Sequence, residues 1–584
     1  MVRWRPRQAF EALYWYATRR RVRARNCLRR GFAATPHAYR YWIRHFEKAD
    51  RSAAAVEQRC RAISYAPRFS IALYIEASLD PAQAAAAIRS VQSQVYPHWE
   101  LLIVGGPGAD IAHVYAEQPN IHVVPGCAET DASAIALAVA AASGEFIIPL
   151  AGNAQLPPAA LLHYVEALQS GKSPSLLYGD DDCIDSAGKR HDPWFKPGWD
   201  ADLVLAQDYV SAAMAVRTRA AAAVMPLRNV PAGIAPYALA LAISQDPATA
   251  GTFQPMHVPR ICCHLAARDA DRTQASRARL VASYLERQGA ATAIGQFGSV
   301  AISWPMPEPP RLVTIIIPTR DSVDILSACV ASVLEKTRYA AFDILIVDNG
   351  SQDRATFEYF EHISGDSRIS VLEFPGAFNY SAINNFAARH AAGDFLCLLN
   401  NDVEVLAPDW LGEMMRQAAR PDTGAVGAKL LYPDGTIQHA GIVLGMGGAA
   451  GHAHRHLPAG DAGYFAQAHI ARGASAVTAA CLLVEKRKFL AVGGLDEVQF
   501  RVAYNDVDFC LKLASRGWRN RYVPAATLVH YESKSRTSDF SADQFERYRA
   551  ELQALQRLWS TETVIDALHH PSLDRSSETY RLGL

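Results

Sequence analysis

Asp343-Ile-Leu-Ile-Val-Asp-Asn-Gly-Ser351 decides the fold: a short apolar, β-branched run that ends on an acid, an amide and a glycine turn. A run of this length, apolar at successive positions, reads as a strand buried on both faces. The glycine permits a tight bend, which aims the carboxylate that closes the strand into the space beyond the sheet. Working outward, Val313-Thr-Ile-Ile-Ile317 is a strand of the same kind, followed by a helical stretch containing Ser332-Val333. Downstream, Gly393-Asp-Phe-Leu-Cys-Leu-Leu399 is another. Strand alternating with helix predicts an α/β domain with a mainly parallel sheet, whose ligands sit outside the carboxyl ends of the strands.

The same order occurs earlier in the chain. Ser70-Ile-Ala-Leu-Tyr-Ile75, Ser90-Val91, Glu100-Leu-Leu-Ile-Val104 and Gly144-Glu-Phe-Ile-Ile-Pro-Leu150 follow one another as their counterparts do. A whole domain is therefore repeated, and the expected fold class is α/β with two tandem Rossmann-like domains. Trp304-Pro-Met-Pro-Glu-Pro-Pro310 cannot continue a helix or a central strand and marks the boundary. The expected division is a basic helical segment over 1–65, a first domain over 66–275, and a helix with a proline-rich linker over 276–310. A second domain follows over 311–545, and a helical tail over 546–584 that carries no functional signal.

Lysine plus arginine and aspartate plus glutamate both number 58, so net charge points to no nucleic-acid partner. Arginines crowd the first fifty residues beside Trp4, Phe10, Tyr14, Trp15 and Tyr16. Such a segment suits either peripheral contact with an anionic membrane surface or a solvated basic helix packed on the next domain. No apolar stretch long enough to span a bilayer and no signal-peptide core is present, and the ten cysteines lack paired or metal-type spacing. A cytoplasmic location is expected, with possible membrane contact confined to the cytoplasmic face. Cys262 and Cys263 read as buried strand.

Acids and amides gather at the strand ends of the second copy. Asp348 ends one strand, and Asn400-Asn401-Asp402 ends another, a setting that suits a hard divalent cation already carrying phosphate oxygens. Asn505-Asp506-Val507-Asp508 opens an apolar-periodic helix, with Asp506 the better-placed general base. His530 follows a strand and offers a nitrogen ligand. Singly, an acid at a strand end is also a turn former or a cap; together, their order and spacing carry the reading.

On these marks, with Ile317-Pro-Thr-Arg-Asp321, Phe378-Asn-Tyr-Ser-Ala-Ile-Asn-Asn385, Val477-Thr-Ala-Ala-Cys481 and Val492-Gly-Gly-Leu-Asp496, residues 312–536 resemble the inverting family 2 glycosyltransferases of GT-A fold. The bacterial enzymes of O-antigen and other surface-polysaccharide assembly are the nearest in pattern. The resemblance implies transfer of a sugar from a nucleotide-diphosphate sugar to a glycan or lipid-linked glycan acceptor. It implies that Thr319 and Asp348 hold base and ribose, with Pro318, Asn385 and Asn401 also in the nucleotide-sugar site. Asp402 would bind Mn²⁺ or Mg²⁺, with Asn400 in place of the first acid of the metal motif; His530 would complete that site and Asp506 would be the catalytic base.

The first copy resembles the same family but has Gly105-Gly106-Pro107-Gly108, Ala151-Gly152-Asn153 and Ala235-Pro236 where the acids should stand. An inactive domain is expected there, and Asp180-Asp181-Asp182 reads as a solvated loop. Two rivals are weighed. Gly445-Met-Gly-Gly-Ala-Ala-Gly451 looks like a dinucleotide loop, but it comes late in the chain and runs into His452 and His454. It is expected to be a mobile loop over the site. A non-catalytic glycan-binding or scaffold protein is the other rival, opposed by the joint presence of Asp348, Asp402 and Asp506.

Overall fold

The computed structural model describes residues 16, 28–29, 31–33, 35–47, 53–76, 78–106, 118–126, 128–245, 251, 253–268, 270–532 and 542–584. Most of the basic N-terminal segment lies outside the described residues, and with it the expected membrane contact. Among the described residues no helix is long and apolar enough to cross a membrane.

Two sheets repeat one plan. In the first, β1 (Phe69–Ile75), β2 (Trp99–Gly105), β3 (Ile121–Val123) and β4 (Phe146–Ala151) are joined by β5 (Leu176–Ile184), β6 (Arg190–Trp194), β7 (Met214–Arg217) and β8 (Pro255–Leu265). Their order is β3-β2-β1-β4-β7-β5-β6, with β8 also on β5. A hairpin of β9 (Ala291–Ile294) and β10 (Val300–Ser303) follows, where a helix and linker alone were expected.

The second sheet contains β11 (Val313–Thr319), β12 (Phe342–Asp348), β13 (Ile369–Glu373), β14 (Phe395–Leu399), β15 (Val403–Val405), β16 (Thr423–Leu431) and β17 (Ile437–His439). The chain then forms a separate hairpin, β18 (Ile442–Leu444) with β19 (Ala450–His452), before returning through β20 (Arg472–Gly473), β21 (Cys481–Glu485) and β22 (Arg519–His530). The main order is β13-β12-β11-β14-β21-β16-β22-β15. In both sheets four parallel strands meet one antiparallel strand, β7 or β21, and then a parallel pair, β5 with β8 or β16 with β22.

The apolar runs explain the layering. Ile316, Leu345, Val347, Leu396 and Leu398 enter one core, whereas Ile315, Ile317, Ile344, Ile346 and Cys397 enter another on the opposite face. Alternate residues of one strand thus serve different layers, as a doubly covered sheet requires. Gly144 and Gly393 mark the entry to β4 and β14. A Cβ on Gly393 would come within 2.6 Å of the Thr314 nitrogen, and one on Gly144 within 2.6 Å of Ser70 Oγ. Each glycine N–H donates to that same hydroxyl partner, Ser70 or Thr314, at 2.9 Å. The repeat thus extends to hydrogen-bond detail.

Several expectations are overturned here. Asp180, Asp181 and Asp182 are not a solvated loop; they lie on β5 and are almost fully buried. Asp180 pairs with His257 and His570, Asp181 with Lys196 and Arg268, and Asp182 with Arg190 and His264. A carboxylate survives burial only when paired in this way, and the partners come from distant segments that a local reading does not see. Burial pushes the Asp180 carboxyl up, but His570 and His257 outweigh it and hold it below the ordinary range.

Gly445 to His456 is likewise no mobile loop. Gly445, Gly447 and Gly448 adopt positive φ to turn the β18–β19 hairpin, and His454 is fully buried with its ring stacked on Tyr580. The tail is structural too. The Gly198 N–H donates to the Ala567 carbonyl, His570 reaches Asp180 of the first sheet, and Asp566 accepts from Leu444 and Ser475 of the second. The tail thereby ties the two halves together. A buried ion cluster does the same: Arg521 bonds Asp202 and Asp422, each at 2.8 Å, and Arg420 bonds Asp202 at 2.6 Å.

Candidate functional site

The site forms at the carboxyl ends of β11, β12 and β14. Thr319 ends β11 opposite Asp348, in register, and Asn401 Nδ2 donates to Thr319 Oγ1 at 3.2 Å. Asp348 is buried and accepts from the Ser351 backbone and hydroxyl across the turn that Gly350 makes at φ 74°. Asp321 was not singled out from the sequence. Its carboxylate accepts from the Gln352 and Asp353 backbones, so it links the ends of β11 and β12.

Asn385, expected in the nucleotide-sugar site, has its amide bonded to the backbone of Leu495. Its Nδ2 donates to the Leu495 carbonyl and its Oδ1 accepts from the Leu495 N–H, so both ends of the buried amide clamp one backbone residue. That clamp holds Gly494-Leu495 against the helix Tyr380–His390. The amide thus serves the fold.

The metal candidates do meet. His530 Nε2 lies 3.1 Å from Asp402 Oδ1. His530 Nδ1 is 2.7 Å from Gln438 Oε1, and Gln438 Nε2 is 3.2 Å from Glu532, which identifies Oε1 as the acceptor end of that amide. Nδ1 therefore donates to Gln438, and the ring turns its Nε2 toward Asp402. Asp402 Oδ1 is buried and receives no hydrogen bond among the described residues. At this distance a proton or a cation stands between the two atoms, and an imidazole nitrogen beside a carboxylate oxygen is a donor set that a divalent cation accepts. Asn400 completes the surroundings: its Nδ2 is 3.3 Å from His530 Nε2 and its Oδ1 accepts from Tyr380.

Asp506 stands at the second position of the helix Asn505–Ser515, which buries Val507, Phe509, Cys510 and Leu513. Its carboxylate is half-buried and accepts from the N–H groups of Ala479, at 3.1 Å, and Val507, at 2.8 Å. Desolvation raises its pKa above the ordinary aspartate value despite those bonds. The metal and base candidates are linked: the single Tyr380 hydroxyl proton is shared between the Ala479 carbonyl at 3.1 Å and Asn400 Oδ1 at 3.3 Å, and the Ala479 N–H donates to Asp506. Asp508 faces away from this role, bonded to Trp559 and Lys512.

A second group of donor atoms, Asp180 with His257 and His570, has the proximity of a metal site. His570 Nδ1 accepts from the Ser572 N–H, so its Nε2 bears the proton that Asp180 takes, and the group is satisfied as hydrogen bonds. In the first sheet the register places Gly105 where Asp348 stands and Asn153 where Asp402 stands. Pro236 is second in its helix, as Asp506 is in its own. A 430 Å³ cavity remains there, lined in part by Tyr74, Asp131, Asn153 and Pro236.

Residues 314–451 match the family described as Glycosyl transferase family 2. Asp506 and His530 lie beyond the matched residues. The chain is similar to the uncharacterized protein y4gI of Sinorhizobium fredii (strain NBRC 101917 / NGR234), 36% identical over 515 residues, which cover 85% of this chain and 56% of that protein. It is similar to the O-antigen biosynthesis protein RfbC of Myxococcus xanthus, 37% identical over 466 residues, covering 77% of this chain and 36% of RfbC. A shorter match is to the UDP-Glc:alpha-D-GlcNAc-diphosphoundecaprenol beta-1,3-glucosyltransferase WfgD of Escherichia coli, 35% identical over 91 residues, covering 16% of this chain and 35% of WfgD. The chain spans 56% or less of each of these curated relatives.

Proposed function

We propose that this chain is an inverting glycosyltransferase that moves a sugar from a nucleotide-diphosphate sugar to a glycan or lipid-linked glycan acceptor, in the assembly of a bacterial surface polysaccharide. The observation that carries the proposal is the facing pair Asp402 and His530, joined by a short hydrogen-bonded path to Asp506, whose pKa is raised. The family match, the name of RfbC and the lipid-linked acceptor in the name of WfgD support the reaction class and the acceptor class.

Asp402 and His530 are the residues that would hold Mn²⁺ or Mg²⁺, and such an ion neutralises the charge that a departing diphosphate develops. Thr319, Pro318, Asp348 and Asn401 form the proposed nucleotide side of the crevice. Asp506 takes the proton of the acceptor hydroxyl as its oxygen bonds to the anomeric carbon and the bond from that carbon to the diphosphate breaks. Attack from the face opposite the leaving group inverts the centre. A base poised above the ordinary aspartate range accepts a proton more readily than a fully solvated one, and general bases of this kind contribute about 10² to 10⁴ in rate.

The first copy is proposed to be inactive, since Gly105, Asn153 and Pro236 hold the places of the three acids. The test is product formation from a panel of UDP-, GDP- and dTDP-sugars with a synthetic polyprenyl-diphosphate-linked acceptor and Mn²⁺. A product of inverted anomeric configuration is expected, and its absence with every donor and acceptor would sink the proposal.

A further inference from the structure

The tail helix Ala542–Trp559 grips the segment that leads into the helix bearing Asp506, and its hold is specific. Glu551, 3% exposed, turns both carboxylate oxygens onto consecutive backbone amides, accepting from Val502 N–H at 3.1 Å and Ala503 N–H at 2.7 Å. Among the described residues its ion-pair partner is Arg547 Nε at 3.8 Å, beyond hydrogen-bond distance. Burying a carboxylate largely for two neutral N–H groups is a costly way to add stability, so the shape it imposes is the informative feature.

That shape is strained. Tyr504, directly after the clamped amides, sits in the left-handed region at φ 60° and ψ 7°, which a bulky non-glycine residue adopts only when its surroundings over-determine it. Three contacts do so. The Glu551 clamp is one; the Tyr504 hydroxyl meets the Tyr548 hydroxyl of the same tail helix at 2.7 Å; and Asn505 Nδ2 bonds back to the Val502 carbonyl at 2.8 Å. Asp506 follows two residues after Tyr504. Farther along, Trp559 Nε1 bonds Asp508 at 2.9 Å, so the tail helix holds the Asp506 helix on both sides of the acid.

We propose that Glu551 is a positioning residue for Asp506: by fixing the strained turn at Val502 to Tyr504, it sets where the first turn of the helix places the carboxylate. The proposal rests on the reading of Asp506 as the base. A displacement of about 1 Å at a reacting group costs on the order of 10² in rate, so releasing the turn acts on turnover while leaving the donor's contacts in place.

The test is a double-mutant cycle in the full chain, Glu551→Gln with Asp506→Asn, reading nucleoside diphosphate release with Mn²⁺ from UDP-glucose, UDP-N-acetylglucosamine, GDP-mannose and dTDP-rhamnose. Glu551→Gln keeps the side chain's size and removes one of the two acceptor oxygens. The expected result on the best donor is a kcat loss of about tenfold or more with donor KM within about twofold, and no further loss once Asp506 is Asn. Leu555→Ala, a cavity variant on the same helix, controls for simple destabilisation and should retain most of kcat.

Full kcat in Glu551→Gln, an equal loss on the Asp506→Asn background, or the same loss in Leu555→Ala would overturn the proposal. Undiminished kcat in Asp506→Asn alone would instead overturn the reading of the base, and the positioning role with it. A wild type that releases no nucleotide from any of the four donors would count against both.

Discussion

His530 Nε2 faces Asp402 Oδ1 at 3.1 Å, with Gln438 Oε1 holding the far side of the ring at 2.7 Å from Nδ1. Two residues 128 positions apart are thus brought together by the pairing of β15 with β22, where Val403 lies opposite His530. In the proposed reading this pair holds the cation, and Gln438 then orients the His530 ring without being a ligand itself.

Gln438→Leu should weaken Mn²⁺ affinity about 10- to 100-fold by freeing the ring and its tautomer, the usual cost of losing an outer-sphere partner. Metal titration followed by calorimetry checks this. Unchanged affinity would mean that His530 is not a ligand.

Asp506→Asn should lower kcat by about 10² to 10⁴ with donor binding retained. The wild-type profile of kcat should fall as pH drops through a pKa above the ordinary aspartate value, since the base works only when deprotonated and desolvation raises its pKa. The same shift has a stability sign. A raised folded-state pKa means the charged form is disfavoured in the fold, so Asp506 lowers stability at neutral pH and the Asn variant should melt higher. A variant that melts lower would contradict the desolvation account.

Much of this was legible in the sequence. The acid-tipped strands and the repeated strand order are local patterns with a period or a turn to mark them; Asp402, Asp506 and His530 take their roles from a resemblance, and the structure brings Asp402 to within 3.1 Å of His530. What sequence reasoning missed depends on partners far away. Asp180 to Asp182 looked like a solvated acidic run because His257, His264, Lys196, Arg268 and His570 are scattered over hundreds of positions. Gly445 to His456 looked like a loop because glycine marks turns of every kind, including one inside a packed hairpin. The motif that holds Asn385 does not announce its bonds to Leu495. Glu551 looked like any acid on an amphipathic helix, since nothing local announces a bond to two amides 48 and 49 residues away.

The cluster joining the halves should dominate their coupling. Burial pushes the Asp202 carboxyl up, but Arg521 and Arg420 outweigh it and hold it below the ordinary range. Its stabilising contribution is therefore complete above the unfolded-state pKa and disappears as pH falls through the folded-state value. Asp202→Ala leaves Arg521 buried with one partner fewer and should cost about 3–5 kcal/mol in denaturant unfolding at neutral pH. A cost below about 1 kcal/mol would show that the halves do not depend on it.

The first copy should bind no donor. Asn153→Ala is expected to leave nucleotide-sugar affinity within about twofold, well under the tenfold that 1.4 kcal/mol represents. A larger loss would place a second nucleotide site in the 430 Å³ cavity of the first sheet.

The most direct test of the central claim is calorimetric binding of a panel of nucleotide-diphosphate sugars with and without Mn²⁺, on the wild type and on Asp402→Ala. The account predicts metal-dependent binding of at least one donor by the wild type and its loss in the variant. A well-folded wild type that binds none of the common donors, or an Asp402→Ala variant that binds as the wild type does, would contradict it.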